Sequence, residues 1–586
     1  MYIRSIHIEN FRCIKSADIN ISEQNVLVGD NNCGKSTLLD AIDLVMGPDR
    51  MSRHPVVNEY DFYCGKYIGD PSPEIKIEVT LCDLNDEEKR YFIHHLEWFD
   101  IETNKICDQI EPLSNGNAIP IVRVCFSGRF NPEEDDFEGE TYYLNPISDD
   151  SRISFTKKDK RLCGFLYLRT LRTGSRALSL EHGSLLEIIL SLKEVRPQMW
   201  EGVIGKLNDI NAVPDGDAGL SDILLSLNNE IHKFLPEESV NNPVMRVSDM
   251  TRESLRKVIT VFLESENKLD DGTHYSVPYY KMGTGTINVL VLALLSIIAS
   301  LKQNVIFAMD EPEIAIPPYI QKSIVTNVFR NSKQSIFTSH SPYVLEEFKP
   351  DNVLILSNTS GVIRAIQAKL PPNVKMKAYR EELRKNYFES LLSKKVLITE
   401  GRTEYDVYST AARKLEELNP DKYSSFERMG ISLVNAESDS KVAPLGKYYK
   451  SLDKSVYAVC DEQEPDAHTQ IKDSVDLLFE APEHGIEDLV LNGISTDKIK
   501  EYILGIVEEG QWPKHMEKNT PTLDTTNEEF KKLAREYFKQ KKGNGALADL
   551  ISICEEDDMP EFITNVISKL KTHCSPSREE TDFGAE

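Results

Sequence analysis

The segment GDNNCGKST, Gly29 to Thr37, fits the pattern G-x-x-x-x-G-K-[ST] and lies between an apolar strand, NVLVG, and an apolar helix, TLLDAIDLVM. This strand-loop-helix context constrains the chain more than any other feature. Glycines let backbone N–H groups approach phosphate, and the helix N-terminus adds the positive end of its dipole. Lys35 is expected to reach the β and γ phosphates of ATP and Ser36 to hold Mg²⁺, with Asn31, Asn32, Gly34 and Thr37 completing the cradle.

Such a loop needs a second strand that ends in acid, and NVIFAMDEPE supplies it. Asp310 is expected in the Mg²⁺ shell and Glu311 beside the attacking water. Two adjacent acids at a buried strand end without a role would be costly to desolvate. Further on, QSIFTSHSP gives another strand running to His340, from which an imidazole could contact the γ-phosphate. Ahead of the Asp310 strand, KMGTGTINVLVLALL puts Gly283 and Gly285 at the start of a long apolar helix.

A second module follows. The strand KVLITEG ends in Glu400 and Gly401, with Glu404 one helical turn later; SVYAVCDEQEPD ends a strand at Asp461, followed by Glu462 and Glu464; EAPEHGIEDLVL sets Glu487 and Asp488 at a helix start. Carboxylates at the C-terminal ends of parallel strands converge on the crevice where such sheets bind ligands. Oxygen-only clusters suit Mg²⁺ or Mn²⁺. The plainer alternative is that an acidic chain has many acidic strand ends.

Of the 586 residues, 95 are acidic and 68 basic, a net charge of -27, yet 40% are hydrophobic, which excludes wholesale disorder. Such acidity lowers the prior for a phosphate-bearing partner, because non-specific nucleic-acid affinity comes from Lys and Arg; divalent metals or a local basic groove can offset it. The opening segment, MYIRSIHIENFRCIKSADINI, reads as an alternating strand pair rather than a secretory signal, so the mature chain is expected to start at Met1. The longest apolar stretch, Ile287 to Leu301, is interrupted by Asn288 and two serines and falls short of the roughly 20 residues that span a bilayer. That stretch is expected to be a buried helix, with no membrane partner, and ten scattered cysteines without a CxxC pair are expected to be reduced thiols of a cytoplasmic protein with no zinc ribbon.

The texture along the chain divides it into 1–175, the first part of an ATPase head; 176–272, a helical insertion; 273–375, the second part of the head; 376–497, the second catalytic module; and 498–586, its charged helical extension. Strands are expected at Glu74 to Thr80, Ile119 to Phe126 and Gly164 to Leu168, and a helical stretch from Ala378 to Ser393.

The order Gly29–Thr37, Gly283–Gly285, Asp310–Glu311, His340 resembles the ATP-binding-cassette heads of RecF-type and chromosome-maintenance ATPases. In that family the signature segment of one subunit closes over the nucleotide of another, which implies a homodimer or higher even oligomer. The order strand-Glu-Gly, then strand-Asp, resembles the Toprim fold. The combination, with the lead-in NYFESLLSKKVLITEG and a later IEDL segment, resembles the OLD (overcoming lysogenization defect) nucleases over nearly the whole chain. The resemblance implies an α/β chain with an ABC-type ATPase head, a helical dimerisation insertion and a C-terminal Toprim domain of parallel sheet with flanking helices. It implies an ATP-hydrolysing, metal-dependent DNA endonuclease of anti-phage defence, with an activating or restraining defence partner. Glu400 with Asp461 would then hold one metal and Glu404 with Glu487 and Asp488 the second, while Lys541 or Lys542 assists the cut phosphate.

One departure stands out. Toprim proteins usually carry Asp-x-Asp on the second strand, where this chain has Gln463; Glu462 or Glu464 could stand in, or one metal site is weakened. The rival is an ATP-dependent DNA-binding clamp with a non-catalytic Toprim domain. A topoisomerase or primase lacks an identifiable tyrosine-bearing cleavage domain or initiation machinery here, and a transporter ATPase lacks a membrane span.

Overall fold

In the opening strand, Tyr2–Phe11, the side chains of Ile3, Ile6, Ile8 and Phe11 are buried, and the break in strict alternation between Ile3 and Ile6 coincides with a register shift against Glu74–Cys82. The computed structural model describes residues 1–48, 50, 55–103, 105–107, 118–145, 152–168, 178, 180, 184–193, 202, 222–223, 225–227, 252–301, 305–314, 317–369 and 388–574. They fall into two compact units: Met1–Phe11, Ile21–Gln24 and Leu39–Ser339 form the first, and Arg12–Asn20, Asn25–Leu38 and His340–Glu586 the second.

In the first unit, the strands Lys105–Ile106, Leu96–Asp100, Ala118–Asn131, Glu74–Cys82 and Tyr2–Phe11 lie side by side and antiparallel, with Asp136–Tyr143 also paired to Ala118–Asn131. Three further strands, Phe165–Leu168, Ile306–Asp310 and Gln334–Thr338, are parallel. The last two are buried along their whole length, as in a strand covered on both faces; Ile306–Asp310 is apolar up to its closing acid, whereas Gln334–Thr338 also buries Gln334, Ser335 and Thr338. The strands expected near residues 74, 119 and 164 are present as Glu74–Cys82, Ala118–Asn131 and Phe165–Leu168. Most of 176–272 lies outside the described residues; within it Leu185–Leu192 and Arg252–Val258 are helices, and Phe262–Lys268 pairs with His274–Pro278 as a hairpin.

The second unit holds Gln24–Val28 beside Val353–Thr359, which pairs antiparallel with Val362–Gln367, which in turn lies parallel to Ile14–Asn20. It also holds a separate four-stranded sheet, entirely parallel, in the order Ile431–Asn435, Lys395–Thr399, Ser455–Cys460, Leu477–Glu480. Of the stretch expected to be helical before that sheet, Phe388–Leu392 is described and is a helix.

Helices from the charged C-terminal part complete the parallel sheet's core. Asn527–Gln540 buries Phe530, Leu533, Ala534, Tyr537 and Phe538, one face of a 3.6-residue period, and leaves its charges to solvent. Phe530, Ala534, Tyr537 and Phe538 share one cluster with Val407, Tyr408, Ala411, Ala412 and Leu415 of the helix Arg402–Leu418 and with Tyr457 and Val459 of the sheet. Burial of that face fixes the turn after Gln540, whose Gly543 N–H donates to Thr403 Oγ1 at 3.2 Å in the first turn of Arg402–Leu418.

Two glycines test this packing with opposite signs. A Cβ at Gly493 would meet Pro560 Cβ at 2.7 Å and Cα at 2.9 Å, whereas a Cβ at Gly505, inside Thr496–Glu508, meets nothing within 4 Å. Gly493→Ala is expected to destabilise by about 1–3 kcal/mol and Gly505→Ala to stabilise by about 0.5–1 kcal/mol, both read by urea unfolding of the full chain.

Candidate active site

The strand Gln24–Val28 delivers a loop in which Gly29 has φ +149°, Asn32 φ +64° and Gly34 φ +103°. At Gly29 a side chain is excluded for a second reason, since a Cβ there would lie 2.5 Å from the backbone oxygen of Leu356; at Gly34 a Cβ would lie 2.5 Å from the movable end of Ile363, so the positive φ is the stronger constraint. The helix Lys35–Met46 starts at the lysine itself, so its first N–H groups open onto the loop. Lys35 is buried, its Nζ donating to the carbonyls of Gly29 and Asp30 at 2.9 Å each. Asn31, Asn32 and Ser36 are exposed, and Thr37 Oγ1 accepts from Cys13 Sγ.

In the first unit Asp310 closes its strand and is buried. Thr338 Oγ1, at the end of the neighbouring parallel strand, donates to Asp310 Oδ1, and Glu311 N–H donates to Thr338 Oγ1 at 3.0 Å. Glu311 holds φ +47°, an unfavourable conformation for a non-glycine residue that the two flanking strands impose. The sequence alone assigns no part to Thr338, whose signal is a hydroxyl closing the strand QSIFT. His340 is half-buried and belongs to the second unit. The helix Thr284–Leu301 begins between Gly283 and Gly285, and a Cβ on either meets nothing within 4 Å among the described residues.

The parallel sheet of the second unit gathers the other acids. Glu400 follows Lys395–Thr399 and Asp461 follows the adjacent Ser455–Cys460, so both leave the sheet at its C-terminal edge. Glu400 Oε1 accepts from Asp461 N–H at 3.1 Å and from Gln463 Nε2 at 2.7 Å. Glu404, in the first turn of Arg402–Leu418, and Glu487, in the first turn of Ile486–Gly493, are buried. Glycine at 401 makes room for the first of them, since a Cβ there would stand 2.7 Å from Glu404 Oε2. Lys542 Nζ, from the turn after Asn527–Gln540, lies 3.6 Å from Glu487 Oε1.

Charge on these carboxylates is poorly compensated. Burial, then Asp461 and Glu404, push the Glu400 carboxyl up to about 7. Burial, then Glu404 and Glu487, push Asp461 up to about 6 against the pull of Lys542 and His484. Glu404 is raised by burial and by Glu487, with Lys542 opposing. Glu404 Oε2 and Glu487 Oε1 are buried oxygens that accept no hydrogen bond. An all-oxygen donor set with surplus negative charge and orphaned buried oxygens fits a hard divalent cation. Among the described residues no three His, Cys, Asp or Glu side chains already surround one point at ligand distances.

Other expected residues are placed elsewhere. Glu462 is exposed and faces His484 at 3.2 Å, and Glu464 is exposed at the start of Pro465–Ser474; neither is brought to Glu400, where Gln463 stands instead. Asp488 pairs with Arg535 at 2.6 Å, which ties the Asn527–Gln540 helix to the site. Lys541 ends that helix with its backbone N–H on Tyr537 O, leaving Lys542 as the lysine beside the carboxylates. Sequence reasoning missed Glu480, Arg535 and His468. Glu480 ends the fourth parallel strand, accepts from Gln463 N–H at 2.7 Å and contacts His468 Nδ1 at 2.7 Å. The signal for it was the acid closing DLLFE.

Residues 1–345 match the family described as AAA ATPase domain, and residues 391–462 match the overcoming lysogenization defect protein-like TOPRIM domain. The chain belongs to the OLD family. The Old nuclease of Escherichia phage P2 is 22% identical over 454 residues, 72% of this chain and 71% of its own length. Endonuclease GajA of Bacillus cereus (strain VD045) is 21% identical over 561 residues, 92% of this chain and 85% of its own. The SMC head domain from Thermotoga maritima aligns at 13% identity over 63% of this chain and 100% of that one, with a TM-score of 0.28, too loose to add to the family assignment. The ATPase head joined to a Toprim domain, inferred from motif order, is thus the architecture of this OLD-family chain.

A raised carboxyl pKa makes stability depend on pH. Glu400 ionises near 4.5 in an unfolded chain and at about 7 when folded, so the folded state holds the extra proton between those values. Its contribution is fully present below about 4.5 and is lost as pH rises through about 7. In chelator, the melting temperature of the native chain is expected to fall more steeply between pH 5 and 8 than that of Glu400→Gln, and Mn²⁺ is expected to flatten the native profile; parallel profiles would contradict the charge assignment.

Proposed function

We propose that this protein is an ATP-hydrolysing, divalent-metal-dependent DNA endonuclease in which the ATPase head regulates the Toprim site. The observation that carries the reading is the convergence of Glu400, Asp461, Glu404 and Glu487, with Lys542 among them, at the C-terminal edge of one parallel sheet. Membership of a family that includes the phage P2 Old nuclease and endonuclease GajA supports the reaction class.

Glu400 and Asp461 would hold one Mg²⁺ or Mn²⁺, and Glu404 with Glu487 the second. When bound, such ions supply a more acidic water and polarise a phosphodiester. Glu400 accepts two hydrogen bonds on one oxygen, which fixes the direction of the other. Lys542, exposed on a glycine-rich turn, can swing from Glu487 to a scissile phosphate and neutralise the charge that builds there. Asp488, paired to Arg535, holds the helix that carries this turn. In the head, Lys35 and Ser36 would take the nucleotide phosphates and Mg²⁺, and the strained Glu311 beside Asp310 would orient the attacking water.

Homodimerisation, or a higher even oligomer, is supported by Gly283 and Gly285, which the described packing of this chain does not itself require. A cytoplasmic site and a part in anti-phage defence accord with ten free thiols and with the family. No helix among the described residues is long and apolar enough to cross a membrane.

The test is nicking of supercoiled plasmid with Mg²⁺ or Mn²⁺, with and without ATP. Glu400→Ala is expected to lower cutting by roughly 100-fold or more. Lys35→Ala is expected to abolish ATP hydrolysis and any response of cutting to nucleotide. DNA binding without cuts under either metal would favour an ATP-dependent clamp, and a nucleotide response surviving in Lys35→Ala would remove the regulatory link.

A further inference from the structure

Gln463 stands where the geometry brings a side chain directly against Glu400. Its Nε2 donates to Glu400 Oε1 at 2.7 Å and to Asp461 O at 3.1 Å, while its backbone N–H donates to Glu480 Oε1 at 2.7 Å. Glu480 is held in turn by His468 Nδ1 on its other oxygen at 2.7 Å. The residue is therefore held both at its main-chain N–H and at its side-chain nitrogen. With the Asp461 N–H also on Oε1 at 3.1 Å, one oxygen of Glu400 carries two donors and the carboxylate plane has little freedom to rotate.

A glutamine here does two things. It orients Glu400 before any cation arrives, as outer hydrogen-bond partners of metal ligands do. It also contributes no charge at a place where Glu400, Asp461, Glu404 and Glu487 already repel one another. A carboxylate of equal length at 463 would face Glu400 Oε1 without a proton to share and would raise the negative charge available to a cation.

We propose that Gln463 is a positioning residue that sets the divalent-cation affinity of the Glu400–Asp461 site, aligning Glu400 by its amide and keeping the site one negative charge poorer than an acid at the same position would make it. The inference rests on reading this edge of the sheet as a cation site, and it predicts opposite signs for two substitutions. Gln463→Ala removes the donor and weakens binding. Gln463→Glu keeps the length, loses the donor, adds charge and tightens binding, while destabilising the metal-free chain.

The experiment is Mn²⁺ binding to the full chain by calorimetry and by electron paramagnetic resonance, in native, Gln463→Ala, Gln463→Glu and Glu400→Ala proteins, with melting curves in chelator. Plasmid nicking is run alongside. Expected are a dissociation constant raised about 10-fold in Gln463→Ala, a lowered one in Gln463→Glu with a lower metal-free melting temperature, and loss of the site in Glu400→Ala. Affinities unchanged in both Gln463 variants would overturn the proposal, as would weakening in both, which is what a merely structural role would give. If the native chain and Glu400→Ala bind Mn²⁺ alike, the cation site itself is refuted and the nuclease reading falls with it. Opposite shifts without any cutting would instead sustain the assignment of Gln463 and sink the nuclease reading alone.

Discussion

Mutual repulsion among carboxylates at the C-terminal edge of the parallel sheet is the constraint around which the second unit is arranged. Glu404 Oε2 and Glu487 Oε1 are buried and accept no hydrogen bond, the latter facing only the exposed Lys542 at 3.6 Å, and Glu400 and Asp461 hold their protons up to about 7 and about 6. Buried charge without a partner is among the costliest features a core can carry. A fold keeps such a cluster only where the surrounding packing over-determines it. Here the apolar residues of Arg402–Leu418, Ile486–Gly493 and Asn527–Gln540 share one core with the sheet, and that shared burial holds the helix starts bearing Glu404 and Glu487 in place.

The same repulsion bears on how a chain of net charge -27 meets nucleic acid. Counterion release from DNA needs cations on the protein, and the chain as a whole has too few. Near the carboxylates the described cations are Lys542 and Arg535, of which Arg535 is committed to Asp488. Divalent ions held by the carboxylates would turn the locally most repulsive surface into one that attracts phosphate, so cation binding would govern access of the substrate as well as its chemistry.

Much of this was legible in the sequence because the responsible interactions are local. The phosphate loop needs its glycines within nine residues, and Asp310, Glu400 and Asp461 each follow or close a mainly apolar strand. What escaped depends on pairing between segments far apart in the chain. Nothing near Glu480 says that its strand lies beside the one ending at Asp461, and nothing near Arg535 says that it meets Asp488; both follow from sheet order and helix packing. Glu462 and Glu464 looked suitable as longer acids, but the strand ends at Cys460 and the chain turns there, so the residue returned to Glu400 is Gln463.

The two acidic strand ends solve one problem in different ways. Asp310 accepts a hydroxyl proton from Thr338, a donor supplied by the adjacent strand, and Glu400 accepts an amide proton from Gln463, supplied by the turn after the adjacent strand. Each donor is neutral, so each fixes a carboxylate without cancelling its charge. A lysine or arginine in either place would have neutralised the acid and removed the reason for a cation to bind. Neutral hydrogen-bond donors beside buried acids are therefore the arrangement expected where charge has to be kept for something that arrives later. On the proposed reading that would be Mg²⁺ with the nucleotide in the head and, in the Toprim domain, a cation that precedes a polyanionic substrate.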